Sequence, residues 1–230
     1  MKRSSLPILF LFGIACLILA CSADRGSITA QASGQGDLKR SFSVQPGGRL
    51  VMDVSPGSIE VRAAADQQVV VEVLRSVERA DESRAAEILR QHEVTMEQQG
   101  NNVIIRARTN NDWFKNWNRH GLKVRYVVSI PTEFNVDLKT SGGGISVDDL
   151  RGEVRARTSG GGLRFGKIEG PITANTSGGG ISVAGCKGKV ELNTSGGGIE
   201  IGSGGGELSA ETSGGGIKIE NFDGNVFLRT

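Results

Sequence analysis

Aromatic side chains make up only 5% of these 230 residues, with two tryptophans and one tyrosine, so a large core built on packed rings is excluded. Histidine is nearly absent. His92 and His120 stand far apart with no ligand cluster around them, so neither marks a metal site. Cysteine is limited to Cys16, Cys21 and Cys186, too few for a disulfide framework. No block of basic residues interleaved with aromatics occurs, which removes support for nucleic-acid binding. The one long apolar run, Leu6 to Ala20, is shorter than a membrane-spanning helix needs.

That run follows Lys2 and Arg3, the arrangement of a secretory signal, so residues 1–20 are expected to be an export segment. Its removal takes two of the 27 basic residues and leaves 25 against 25 acidic ones, a chain near neutrality. Ile18-Leu19-Ala20-Cys21 resembles the lipobox of bacterial lipoproteins, in which a small residue precedes the cysteine that is acylated. The resemblance implies lipidation at Cys21; the alternative is ordinary cleavage after Ala23. Several acyl chains on one cysteine would anchor stably, at about 0.8 kcal/mol per buried methylene. In either case Cys186 is left alone, and no intrachain disulfide forms.

Residues 21–41 then read as the modified cysteine and a flexible tether of small and polar residues. A β-rich region over 42–139 follows. Phe42 and Val44 alternate before the turn Pro46-Gly47-Gly48, and Leu50, Met52 and Val54 alternate after it. Further strands are expected around Ile59 and Val61, Val69 to Leu74, Val94 and Met96, Val103 to Ala107, and Val124 to Ile130. One amphipathic helix is expected between Asp81 and Gln91, with Ala85, Ile88 and Leu89 on its apolar face and Asp81 as N-cap. The stretch from Thr109 to Gly121 carries both tryptophans. Trp113, Phe114 and Trp117 at a loop tip would either contact a partner or fold back as a cap over the sheet.

What the sequence has in abundance is glycine, and 25 of its 34 glycines lie beyond Thr140. Thr-Ser-Gly-Gly-Gly begins at Thr140, Thr158, Thr176, Thr194 and Thr212, with Thr230 at the next place in the series. A fixed period of 18 residues is the mark of a solenoid. Ile145, Leu163, Ile181, Ile199 and Ile217 share one column, and Val147, Phe165, Val183, Ile201 and Ile219 stand two residues on, on the same strand face. A second strand repeats Val154, Ile172, Val190, Leu208 and Val226. Each coil over 140–230 is therefore expected to hold two short half-buried strands. The glycine triplet would supply positive φ and close stacking at one corner, and the threonines would form a ladder. No capping segment follows Thr230, so an open edge strand is expected there, closed either by further chain or by another molecule.

The glycine-rich turns lack the Lys-Ser or Lys-Thr and the following helix of a phosphate-binding loop. They also lack the recurring aspartate of calcium-binding rolls, since the relevant column reads Asp148, Gly166, Ala184, Gly202 and Glu220. Carboxylates do not stack on neighbouring coils in the column Glu153, Pro171, Lys189, Glu207, Asn225, nor in Arg157, Asn175, Asn193, Glu211, Arg229, so a paired-carboxylate hydrolase site is unsupported. Cys186 occupies the apolar column of Leu150, Ile168 and Phe222 and reads as a buried thiol. No catalytic residue, metal or cofactor is expected.

The run of Phe42, Gly47-Gly48, Leu50, Gly57-Ser58-Ile59-Glu60-Val61, a strand ending in Pro131, and repeated Thr-Ser-Gly-Gly-Gly-Ile resembles the bacterial putative-adhesin domains, β-strand-repeat domains of unknown function. The resemblance implies an all-β solenoid exported to the cell envelope, with no established catalytic or ligand residues to carry over. The resulting expectation is a non-enzymatic, membrane-anchored lipoprotein facing the periplasm or cell exterior, which binds or scaffolds an envelope protein or surface polymer. A periplasmic regulatory or stress-sensing module is the alternative, and a glycan-processing enzyme a more distant one.

Overall fold

A computed structural model describes residues 36–78, 80–109 and 121–230. They form an all-β protein with one helix. In chain order the strands of the first part are β1 (Leu38–Ser43), β2 (Arg49–Val54), β3 (Ser58–Ala64), β4 (Gln68–Val77), β5 (His92–Gln99), β6 (Asn102–Thr109) and β7 (Leu122–Pro131), with helix α1 (Glu82–Gln91) between β4 and β5. The second part supplies β8 (Asn135–Thr140), β9 (Ile145–Val147), β10 (Leu150–Arg151), β11 (Val154–Thr158), β12 (Leu163–Glu169) and β13 (Ile172–Thr176). Three long strands complete it, β14 (Ile181–Thr194), β15 (Ile199–Thr212) and β16 (Ile217–Arg229), each running through both sides of a coil.

Apolar residues alternate along every coil, and parallel pairing stacks equal residues on equal residues. Val154 lies opposite Ile172, Ile172 opposite Val190 and Val190 opposite Leu208, each step a shift of 18 positions. This column continues across Thr140 into the first part, where Val136 pairs with Val154 and with Leu50, and Leu50 with Val103. The other inward column does the same: Leu163 pairs with Ile145, Ile145 with Ile59, and Ile59 with Tyr126. The glycine-rich composition begins at Thr140, but the sheet and core do not break there. At the proximal end β7 continues the parallel pairing from β3, β4 and β1 follow it as antiparallel strands on that side, and β5 pairs antiparallel with β6 on the other. Burial declines along β16, where Val226 and Leu228 are 44% and 46% exposed.

The glycine triplet meets one of its two expectations, close stacking, and not the other, positive φ. None of its members has positive φ; in the repeats that conformation occurs at Gly188, Gly206 and Gly224, in the opposite turn. The triplet is required for close approach instead. A Cβ on the middle glycine would stand 2.3 Å from Gly143 O at Gly161, 2.4 Å from Gly161 C at Gly179, and 2.4 Å from Gly180 N at Gly197. Backbone lies directly on backbone, so any side chain would force the coils apart.

The threonines stack as a ladder, and they are also buried. Thr158, Thr176, Thr194 and Thr212 donate from Oγ1 to the carbonyls of Gly143, Gly161, Gly179 and Gly197 in the preceding coil, at 2.7–2.8 Å. Thr176, Thr194 and Thr212 also accept from the middle-glycine amide of their own corner. Each hydroxyl thereby satisfies buried backbone groups on two coils.

Helix α1 covers the proximal end. Asp81 caps it by accepting from the Arg84 amide at 2.8 Å, and Ile88 is its fully buried contact. Beneath it lies a buried polar cluster. Tyr126 Oη and His92 Nε2 are 3.1 Å apart, and Arg75 donates from Nη1 to the carbonyls of Leu89 and His92 and from Nε to that of Gly36. Burial, together with the nearby Arg75 charge, drops the His92 pKa to about 4, and burial pushes that of the Tyr126 phenol above its usual range. His92 is thus a neutral core residue, and its Nδ1 has no hydrogen-bond partner among the described residues.

Candidate functional site

The outward positions of the stack are the surface on which chemistry could act, and two grooves run there parallel to the solenoid axis, one on each side of the glycine corner. The first, of about 560 Å³, is floored by Gly144, Gly162, Gly180 and Gly198, and walled by side chains that include Ser146, Arg164, Ser182 and Glu200. The floor is open because the third glycine of each triplet carries no side chain and its carbonyl is already used, each accepting from the first strand residue of the neighbouring coil at 2.9–3.0 Å.

The second groove, of about 440 Å³, lies on the other side of the corner and is more uniform. One wall is the column Arg157, Asn175, Asn193 and Glu211; the other is the exposed hydroxyl row Ser159, Ser177, Ser195 and Ser213. The buried threonines lie between them. Asn193 donates from Nδ2 to Asn175 Oδ1 at 3.2 Å, a bond between neighbouring coils that fixes the amides in register. Arg157 has no ion-pair partner among the described residues, whereas Glu211 meets Arg229 at 3.6 Å. Each coil contributes one hydroxyl and one polar or charged group, repeating at the strand spacing of about 4.8 Å.

The groups singled out in the sequence fall in several places. Cys21, Trp113, Phe114, Trp117 and His120 lie outside the described residues. Cys186 is 5% exposed, with Sγ 3.8 Å from the Ser203 carbonyl, and burial raises its pKa. Its column is accommodated by Gly204, where a Cβ would meet Cys186 Sγ at 2.5 Å and the Phe222 ring at 2.8 Å. Among the described residues no group of three or more His, Cys, Asp or Glu is placed to hold a metal, and no helix is long and apolar enough to cross a membrane.

Sequence columns did contain the second groove, since Arg157, Asn175, Asn193 and Glu211 recur at the repeat period. The signal for a groove was the pairing of that column with the serine two residues on, which lies across the buried threonine. Lys139 of β8, paired with Arg157, and Arg106 of β6 further along the same row carry no such signal, because they come from segments outside the repeat.

No curated protein matches the chain. Solved structures similar to it include a putative cell adhesion protein from Clostridium sporogenes, at 10% identity and TM-score 0.43, covering 83% of this chain and 98% of that one. A putative adhesin from Bacteroides fragilis is 10% identical with TM-score 0.39, covering 84% and 96%. A putative lipid binding protein from Parabacteroides distasonis is 12% identical with TM-score 0.28, again covering 84% and 96%. The family model Toastrack DUF4097 matches residues 48–226, from the turn before β2 to the last inward column of β16. A match over that span takes in both the glycine repeats and the strands that begin the stack, and the chain belongs to the Toastrack DUF4097 family.

Proposed function

We propose that this protein is a non-enzymatic binding or scaffolding solenoid of the cell envelope, and that it engages an extended polymer along the second of the two grooves beside its glycine corner. The observation that carries the reading is the second groove, where a serine hydroxyl and a polar or charged side chain recur on four consecutive coils. Such an array suits a partner that repeats along its own length, because each added unit meets the same donors and acceptors and the contacts add as in any multivalent interaction. Coils of 18 residues set that spacing. Export and anchoring follow from the N-terminal segment in this reading: residues 1–20 direct secretion and acylated Cys21 holds the tether at a membrane.

The test is co-sedimentation of the mature protein with insoluble envelope polysaccharide, comparing wild type with Ser177→Trp, which places an indole in the second groove. Retention of the wild type and loss of the variant is the expected result. Equal retention of both, or of neither, would remove the groove from the reading. Membrane recovery of wild type against Cys21→Ala separately tests the anchor.

A further inference from the structure

Pairing register extends the column of the second groove beyond the repeats. Arg157 lies beside Lys139, Lys139 beside Asp53, and Asp53 beside Arg106. In the other direction Arg157 is followed by Asn175, Asn193 and Glu211. One row therefore runs for six strand spacings, roughly 29 Å, with Arg106, Lys139 and Arg157 at one half, interrupted by Asp53, and Asn175, Asn193 and Glu211 at the other. Arg155 and Arg108 project beside the cationic half, on the same solvent face.

The carboxylates of this surface do not neutralise it. Asp53 is shared between Arg108 and Lys139, at 3.6 Å from each. Glu153 is shared between Arg49 and Arg155. Asp137 and, opposite Arg108, Glu93 complete the acidic groups of the patch. Arg106 and Arg157 keep no ion pair among the described residues, and both are exposed. Two unpaired guanidiniums thus stand in line with the groove, Arg157 next to Lys139 and Arg106 on the far side of Asp53.

Resting on the reading that this groove binds a polymer, we infer that its ligand is an acidic glycan, carboxylated or phosphorylated, whose anionic groups lie over Arg106, Lys139 and Arg157 and whose hydroxyls cross Asn175 and Asn193. Arginine suits this role because its planar fork offers paired donors to carboxylate or phosphate and retains its charge at any working pH. Among the described residues the groove wall carries no aromatic ring on which unpaired bases would stack. It carries no apolar pocket to take the buried anchor that dominates protein interfaces. Hydroxyl and amide groups in a regular row, joined to a cationic strip, match a hydrophilic polyanion.

The mature protein is titrated with a soluble polyuronate and with neutral dextran. The variants are Arg157→Glu and Arg106→Glu, the milder Arg157→Gln, and Arg164→Glu, which makes the same charge change in the first groove. Arg157→Glu and Arg106→Glu are expected to weaken polyuronate binding about tenfold or more, Arg157→Gln by about threefold, and Arg164→Glu by less than about twofold, with affinity falling as salt rises. Equal losses in Arg157→Glu and Arg164→Glu would reduce the effect to overall charge and overturn the inference. So would tighter binding of single-stranded DNA through the same arginines, which would make the partner a nucleic acid. Equal binding of dextran and polyuronate, insensitive to Arg157 but abolished by Ser177→Trp, would overturn the acidic class and leave the groove reading standing. No binding of either glycan by the wild type would overturn both.

Discussion

The proximal strands and the glycine repeats build the same two inward columns by opposite means. In the repeats, small residues recur every 18 positions and let the backbone stack on itself, so Gly179 has no room for a methyl group. In the proximal part no repeat exists. Its coils are completed by strands far apart in sequence, by large side chains such as Tyr126 and Phe134, and by a buried polar cluster under α1. Regular stacking makes each coil depend on its immediate neighbours, while the proximal end depends on individual contacts that occur once.

Substitutions can sharpen that contrast. Gly179→Ala is expected to destabilise by more than about 3 kcal/mol, because backbone rather than a movable side chain must shift. Gly142, the first glycine of its triplet, has open space and no positive φ, so Gly142→Ala should change stability by under about 0.5 kcal/mol. Urea midpoints of the two variants compare them; similar losses would show that the corner needs glycine for reasons other than stacking.

The proximal end should respond to pH through a buried imidazole, a group the repeats do not contain. The folded pKa of His92, about 4, lies below its ordinary 6.5, so the fold favours the neutral ring. The stability this ring allows is complete above pH 6.5 and is lost as pH falls towards 4, a change of about 3 kcal/mol. Denaturant melts at pH 7 and pH 4.5 check it, and His92→Gln should flatten the difference. Within the repeats, Thr176→Val should cost about 2 kcal/mol by leaving the Gly161 carbonyl without its buried donor. Asp81→Ala, which removes the α1 cap, should lower the urea midpoint by the smallest margin of these variants after Gly142→Ala.

The repeat columns were legible because a strand alternates faces with period two and the coil length returns each residue to the same place. Ile145 and Leu163 can therefore be aligned without coordinates, and the structure pairs them. The role of the glycine triplet was only half legible. Glycine is compatible both with positive φ and with close approach, and only the neighbouring coil, 18 residues away, distinguishes the two. The hydroxyl row opposite Asn175 and Asn193 was present in the columns, but its depth depends on the corner between them.

By itself the sequence determined an all-β solenoid, its apolar columns and its buried Cys186, since those follow from periodicity and side-chain polarity within one coil. Only the tertiary structure decided that the stack continues through Leu50 and Val103, that His92 sits neutral beside Tyr126, and that Arg106 and Lys139 align with Arg157. Pairing between non-repeating strands is chosen by the fit of whole surfaces, and no local spacing in the chain records it.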